Sequence, residues 1–186
     1  MDFEELLTSS HGRELISDIG SAIVQKQLKL GSTVDSLCQV LLQRCPTFFG
    51  DSEIVVYQGV ESLERATITR DPTERRTQLA ESLKLFLRGS QSISFPALKD
   101  ICYRYQTLAF FSGIIELCLA AAAAHDPENI ALTAFKNPGM QLSMQQQQVM
   151  NQRENIYSLI FEALRVVHGL EPFSVAPTLG NISNFQ

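Results

Sequence analysis

The sequence predicts an all-α chain, and three observations carry that prediction. Apolar residues recur at spacings of three and four along most of its length, and strand-like alternation is nearly absent. Asp-Pro pairs and serines stand where helices would be capped. Of the 186 residues, 45% are hydrophobic and 19% are charged, which is ordinary globular composition. A chain of this length buries roughly 70% of the surface its unfolded form exposes, so it needs no metal or disulfide to fold.

The first helix is expected from about Gly12 to Leu30, with Leu15, Ile16, Ile19, Ile23 and Val24 on one face. Gly31 punctuates, and Ser32 or Thr33 can cap a second helix by accepting a hydrogen bond from a free backbone N–H. In that helix Val34, Leu37, Leu41 and Cys45 stack, and Cys45-Pro46 ends it, because the residue before proline is biased away from helical angles. Asp51 or Ser52 caps a third helix to about Thr69, with Val56, Val60 and Leu63 inward. The clearest local signal is the next one along the chain. Asp71-Pro72-Thr73-Glu74 reads as a capping box with proline at the first helical position. Its helix carries Leu79, Leu83, Phe86 and Leu87 on one side.

After a connection over Ser92 to Phe95, with Ser94 as a cap ahead of Pro96, Leu98, Ile101, Cys102 and Tyr105 form the next stripe. A break near Gln106–Thr107 leads into a helix from Phe110 to Ala124, with Phe111, Ile114, Ile115, Cys118, Leu119 and Ala122 on a broad apolar face. The alanines 120–124 either admit a close neighbouring helix or face solvent. Asp126-Pro127-Glu128 starts a short helix through Phe135, and Asn137-Pro138-Gly139 stops it. Gln141 to Gln148, with glutamine at 145–148, is expected as a polar loop passing into the last helix. That helix, from Val149 to His168, buries Ile156, Leu159, Ile160, Ala163, Leu164 and Val167. Residues 1–169 thus form the helical body and 170–186 an extended tail, which Phe173, Leu179, Ile182 and Phe185 can dock on it. No strict repeat period appears, and pattern alone leaves an α-solenoid segment and a compact bundle both open.

Chemistry is harder to find. A net charge of −5 and a pI near 5.2, with no basic cluster beyond Arg75-Arg76, argue against a nucleic-acid surface and a polybasic lipid-binding face. Cys38, Cys45, Cys102 and Cys118 contain no CxxC pair and no histidine at ligand spacing, so they read as reduced, buried thiols of a cytosolic or nuclear protein. Cys38 and Cys45 lie two helical turns apart, too far to bridge. The N-terminus is acidic where a signal peptide would be basic, and the apolar run from Leu108 to Ala124 is too short to span a membrane. His11, His125 and His168 fall near helix ends, where a cation suits the helix C-terminus. Glu116 interrupts an apolar helix and has Arg104 or Lys136 as possible partners, but the polar face of an amphipathic helix accounts for it more simply. The groups Glu61, Glu64, Arg65 and Arg70, Asp71, Glu74, Arg75 read as solvated helix faces. Tyr103 and Tyr105 beside Arg104 suggest a stacking platform for single strands but lack its basic groove. No catalytic, cofactor-binding or metal-binding residue is therefore assigned, and no partner-binding residue is identified. No cofactor and no small-molecule substrate are expected.

The wording of the sequence is more specific than its pattern. Arg70-Asp71-Pro72-Thr73-Glu74-Arg75, with Leu79, Glu81-Ser82-Leu83 and Phe86, resembles the C-terminal helical region of the large inner-ring scaffold nucleoporins. So does Tyr105-Gln106-Thr107-Leu108-Ala109-Phe110-Phe111 running into Gly113-Ile114-Ile115-Glu116-Leu117-Cys118-Leu119. Asp126-Pro127 with Ala131-Leu132, and Arg153 with Tyr157, Ile160 and Leu164, continue the match, and Cys45-Pro46 fits upstream. The resemblance covers roughly residues 46–167 and is weaker before them. Asn137-Pro138-Gly139 and the glutamines depart from the family's usual loop, the mark of a divergent member such as a fungal one.

The resemblance implies an irregular α-solenoid segment of stacked antiparallel helices, cut from a longer protein of the nuclear pore complex at the nuclear envelope. The implied function is structural: an inner-ring scaffold that binds linker segments and neighbouring scaffold nucleoporins and supports nucleocytoplasmic transport of protein and mRNA. The family's membrane-contacting elements lie in another part of its chain, so no membrane insertion is expected here. A groove lined by exposed Phe, Leu or Tyr is the place to look for a partner. The competing readings are a generic helical interaction module, of a trafficking coat or a regulator, and a helical enzyme. An exposed sheet or a single closed core would favour the module. A segment cut from a longer stack also exposes apolar surface at one or both ends and is expected to dimerise or aggregate more readily than an intact domain.

Overall fold

The computed structural model of the chain describes residues 9–29, 34–44 and 50–169. Among them every regular element is helical: α1 (Ser10–Lys29), α2 (Val34–Arg44), α3 (Asp51–Ile68), α4 (Pro72–Arg88), a 3-10 turn (Ser90–Ser92), α5 (Phe95–Thr107), α6 (Phe111–His125), α7 (Ile130–Lys136) and α8 (Met144–Val167). The cap expected at Ser32 or Thr33, the Cys45-Pro46 stop and the tail from Leu170 lie outside the described residues, as do the side chains of Val24, Val34 and Leu41.

The chain enters through α1 and α2, which pack on each other and on α3. The inner face expected on α1 is rotated. Ile19 and Ile23 are 58% and 44% exposed, while Gly12 and Gly20 are buried on one stripe with half-buried Ile16. Reading by bulk picked the larger residues, whereas contact here runs along a stripe that includes glycines.

α3 and α4 form the most extensive helix pair. The cap of α3 falls one residue before Asp51, the first of the two expected: Gly50 is the boundary, and the Glu53 carboxylate accepts its N–H at 2.9 Å. Its buried stripe is Ile54, Tyr57, Leu63 and Ala66, with Val56 and Val60 at the edge of the core. Gly59 lets the two helices approach, because a Cβ there would lie 2.7 Å from the Phe86 ring. At the start of α4, Asp71 accepts the Thr73 N–H at 3.0 Å, with Pro72 at the first helical position as expected. The capping box does not close as read. Glu74 accepts from the Thr69 hydroxyl at 2.7 Å, because the preceding turn brings that stronger local donor within reach.

Beyond the 3-10 turn, Ser94 caps α5 ahead of Pro96, and Leu98, Ile101, Cys102 and Tyr105 are all buried. α6 is the hub, packing on α4, the 3-10 turn, α5 and α8. Its buried face is Ile114, Leu117, Cys118, Ala121 and Ala122; Leu119, expected inward, is 51% exposed, and Ala123 faces solvent. One core therefore runs through α3, α4, α5, α6 and α8.

Two corrections fall on α8. The glutamines are not a loop: α8 starts at Met144, where Ser143 accepts the Gln146 N–H at 3.2 Å and the Gln146 side chain accepts the Ser143 N–H at 3.0 Å. This closed capping box nucleates the helix through a polar run that has no apolar stripe to reveal it. Near its other end Leu164 and Val167, expected to be buried, are 37% and 53% exposed, while Ile156, Leu159 and Ala163 are buried as read.

A candidate interaction groove

The expected sites separate in space. Tyr105 is fully buried and Tyr103 is 65% exposed, so the two rings do not form a platform. Glu116 is exposed on the polar face of α6. Arg104, one of its possible partners, binds elsewhere: it pairs with Glu64 of α3 and, at 2.9 Å, with Asp100 one turn back on α5. Glu61 pairs with Arg65 at 2.5 Å along α3, and Arg75 donates to the Thr69 carbonyl at 2.8 Å. His125 ends α6 with its Nδ1 3.4 Å from the Gln152 amide, and His168 lies just past the last turn of α8. Cys38, Cys102 and Cys118 are buried and unbridged. The Cys102 and Cys118 sulfurs lie 3.6 Å apart, and the hydrogen bond between them, together with burial, pushes the Cys102 thiol far above its ordinary pKa. A thiol held protonated is a packing group and not a nucleophile.

Within the core, a polar knot joins α4 to α5. The Ser82 hydroxyl donates to the Leu79 carbonyl at 2.8 Å, leaving its lone pairs to accept from the Tyr105 hydroxyl, also at 2.8 Å. Burial raises the Tyr105 pKa, so its proton stays for that donation. Phe86 and Phe110 meet the Tyr105 ring edge-on, with centroids 6.3 and 5.1 Å away.

A second knot lies where α6 gives way to α7, and sequence reasoning missed it. Asp126 is 1% exposed. Its carboxylate accepts from the backbone N–H of Ile130 at 2.7 Å and of Ala131 at 3.1 Å, which caps α7. It also accepts from the Arg153 guanidinium of α8 at 2.5 Å. Burial alone would raise the carboxyl's pKa, but the two backbone N–H groups and Arg153 outweigh it and hold the group below its ordinary value. Arg153 Nε donates in turn to the Tyr157 hydroxyl at 2.8 Å, and the guanidinium lies 5.6 Å from the centroid of that ring. The signal available in the sequence was Arg153 and Tyr157 one turn apart; the helix expected to start at Asp126-Pro127 begins only at Ile130, because the Asp126 carboxylate caps it from four residues upstream, and the 27-residue separation between acid and base hid their pairing.

This knot sets α7 against α8 and leaves a groove between them of about 590 Å³. Phe135, Leu142, Met150, Tyr157 and Phe161 line it, with Arg153 and Glu154 at its side. Phe135 is 83% and Phe161 61% exposed, and no residue of α7 is buried. The groove has the aromatic and aliphatic lining anticipated for partner capture. Among the described residues no three His, Cys, Asp or Glu side chains gather as a metal site. No described helix is long and apolar enough to cross a membrane.

Comparison with known proteins gives the architecture its family. Residues 1–172 match the model of the non-repetitive/WGA-negative nucleoporin C-terminal family. The chain belongs to that family. Among nucleoporin relatives it is 29% identical, over 88% of its length, to probable nucleoporin C890.06 of Schizosaccharomyces pombe and to nucleoporin NUP170 of Chaetomium thermophilum. It is 25% identical, over 73% of its length, to nuclear pore complex protein Nup154 of Drosophila melanogaster. The chain spans only 12% of the first two relatives and 10% of the third. The crystal structure of the C. thermophilum Nup170 SOL region superposes on 91% of the chain with a TM-score of 0.79 at 27% identity, and covers it with 23% of its own length. The fold is thus a length of nucleoporin α-solenoid, and the family is a non-enzymatic scaffold family of the nuclear pore complex. Nucleoporin membership displaces the generic helical module and the helical enzyme as readings of this sequence.

Proposed function

We propose that this nucleoporin segment is one length of the inner-ring scaffold of the nuclear pore complex. In this reading residues 1–169 are the solenoid segment and 170–186 its tail. The segment binds linker segments and neighbouring scaffold nucleoporins, and through them supports nucleocytoplasmic transport. The observation that carries the reading is the match in fold to the Nup170 solenoid, which superposes on 91% of the chain. In a solenoid, apolar burial passes from each helix to its neighbours and the outer faces stay free for contacts.

Exposed lysines make a direct test possible. Lys84, Lys99 and Lys136 lie at the surface of α4, α5 and α7. In isolated nuclear pores carrying the full-length protein, lysine-directed cross-linking should join these residues to other inner-ring nucleoporins. Cross-links confined to proteins outside the inner ring would overturn the proposal.

A further inference from the structure

We propose that the outer face of α8 pairs with the same face of a second copy of this chain, the two helices running antiparallel and each Phe161 seated in the other copy's groove. The inference concerns that face alone and does not rest on the scaffold reading.

The first support is that this face carries both halves of a contact. Ile156, Leu159 and Ala163 turn inward on α8 and are buried, while Glu154, Ser158, Phe161 and Arg165 recur at steps of four, three and four on the opposite side. Glu154, Ser158 and Phe161 are exposed, and Arg165 is half-buried. Glu154, Tyr157, Ser158 and Phe161 stand at i, i+3, i+4 and i+7 along the α8 wall of the groove. Four residues at that spacing form the hole that receives one side chain of a facing helix. Ser158 is small, which leaves the hole deep, and the exposed Phe135 ring of α7 lines the groove's other side. Phe161 projects from the same face and supplies the knob. A face that holds knob and hole together is self-complementary, as a two-fold interface requires.

The second support is charge, which agrees with the register that the aromatic ring sets. Seating Phe161 over the centre of the opposite hole, between Tyr157 and Ser158, puts the two-fold axis between Leu159 and Ile160. That axis brings Glu154 of each copy level with Arg165 of the other. Both positions lie about 8 Å along the helix from the axis, where helices crossing at about 20° have diverged by only about 3 Å. An arginine side chain spans that gap, so two symmetric ion pairs flank the two aromatic knobs. Parallel helices would instead set Glu154 against Glu154 and Arg165 against Arg165, so charge selects the antiparallel arrangement.

Sedimentation equilibrium across a concentration series of the 1–186 chain tests this pairing. The parent chain should reach a dimer mass. Phe161→Asp should hold the chain monomeric, with amide exchange in α4 to α6 unchanged to show that the fold is kept. Glu154→Arg and Arg165→Glu should each weaken the dimer at least about tenfold, because each sets like charges together twice. Mixing those two variants in equal amounts should restore a dimer of parent-like affinity, since each pair across the interface is again Glu with Arg. A parent chain that stays monomeric would overturn the proposal and leave the groove to another occupant, the chain's own residues or a different protein. A dimer that Phe161→Asp leaves intact would also overturn it, as would a mixture that associates no better than either variant alone.

Discussion

Two polar knots hold this segment, and they sit in opposite surroundings. Ser82 and Tyr105 lie inside the apolar core, flanked by Phe86 and Phe110, where the hydrogen bond completes a contact that packing already dictates. Asp126, Arg153 and Tyr157 lie at the periphery, where they join a short helix without buried residues to the body. At the first knot apolar burial fixes the geometry and the polar groups adapt to it. At the second, charge and capping supply what burial does not. Removing a large apolar side chain should therefore be felt throughout the core, and removing a charge should be felt mainly at α7.

The largest effect is expected at Phe86. Its ring is fully buried and lies over Gly59, closing the α3–α4 pair. Phe86→Ala is expected to cost about 4 kcal/mol in chemical denaturation of the chain. Exchange should accelerate in α3, α4 and α5 together, because the cavity sits where they meet. An effect confined to one helix would show that the core is not one cooperative unit.

Asp126→Ala comes next, at about 2 kcal/mol, since it removes a cap and strands a guanidinium that is only 17% exposed. Its signature is local: faster exchange in α7 and little change in α3 or α4. Acid supplies the same test without mutation. The folded-state pKa of Asp126 lies below its unfolded value of about 3.9, so its contribution is complete above that value and is lost as pH falls through the folded value. Protection of α7 should fade along that acid limb in the parent chain. In Asp126→Asn the Asp126-dependent part of that limb should be gone. An unchanged limb in Asp126→Asn would assign the acid sensitivity to other carboxylates.

The same contrast explains what the sequence made legible. The α5 stripe, Leu98, Ile101, Cys102 and Tyr105, was readable because burial repeats with the helical period and two neighbouring helices cover it. The Asp71 and Ser94 caps were readable because their partners lie two and three residues away. Bulk misleads elsewhere, because an apolar residue on a helix need not face a neighbour, as at Ile19 and Ile23 of α1, Leu119 of α6 and Leu164 and Val167 of α8. The glutamine run misled for the opposite reason: a polar first turn stabilised by its own capping box carries no apolar period. The groove's lining was anticipated in kind but not in position, because it depends on Asp126 meeting Arg153 across the fold. Family wording reached the architecture that local pattern had left between solenoid and bundle.

Tyr105→Phe gives the smallest expected effect and separates the two knots most cleanly. The substitution keeps the buried ring and both edge-on aromatic contacts and removes only the hydroxyl. Ser82 retains the Leu79 carbonyl as acceptor for its own proton, so no buried donor is stranded and what is lost is one accepted bond. The expected cost is about 1 kcal/mol, well below that of Phe86→Ala. If packing fixes this region, the α4–α5 geometry should persist, seen as unchanged amide chemical shifts away from residues 82 and 105. A loss of about 3 kcal/mol with shifts spread through α4 and α5 would mean that the buried hydrogen bond, and not the apolar contact, sets the register of this pair. The core knot would then work as the peripheral one does, and the contrast between the two would fail.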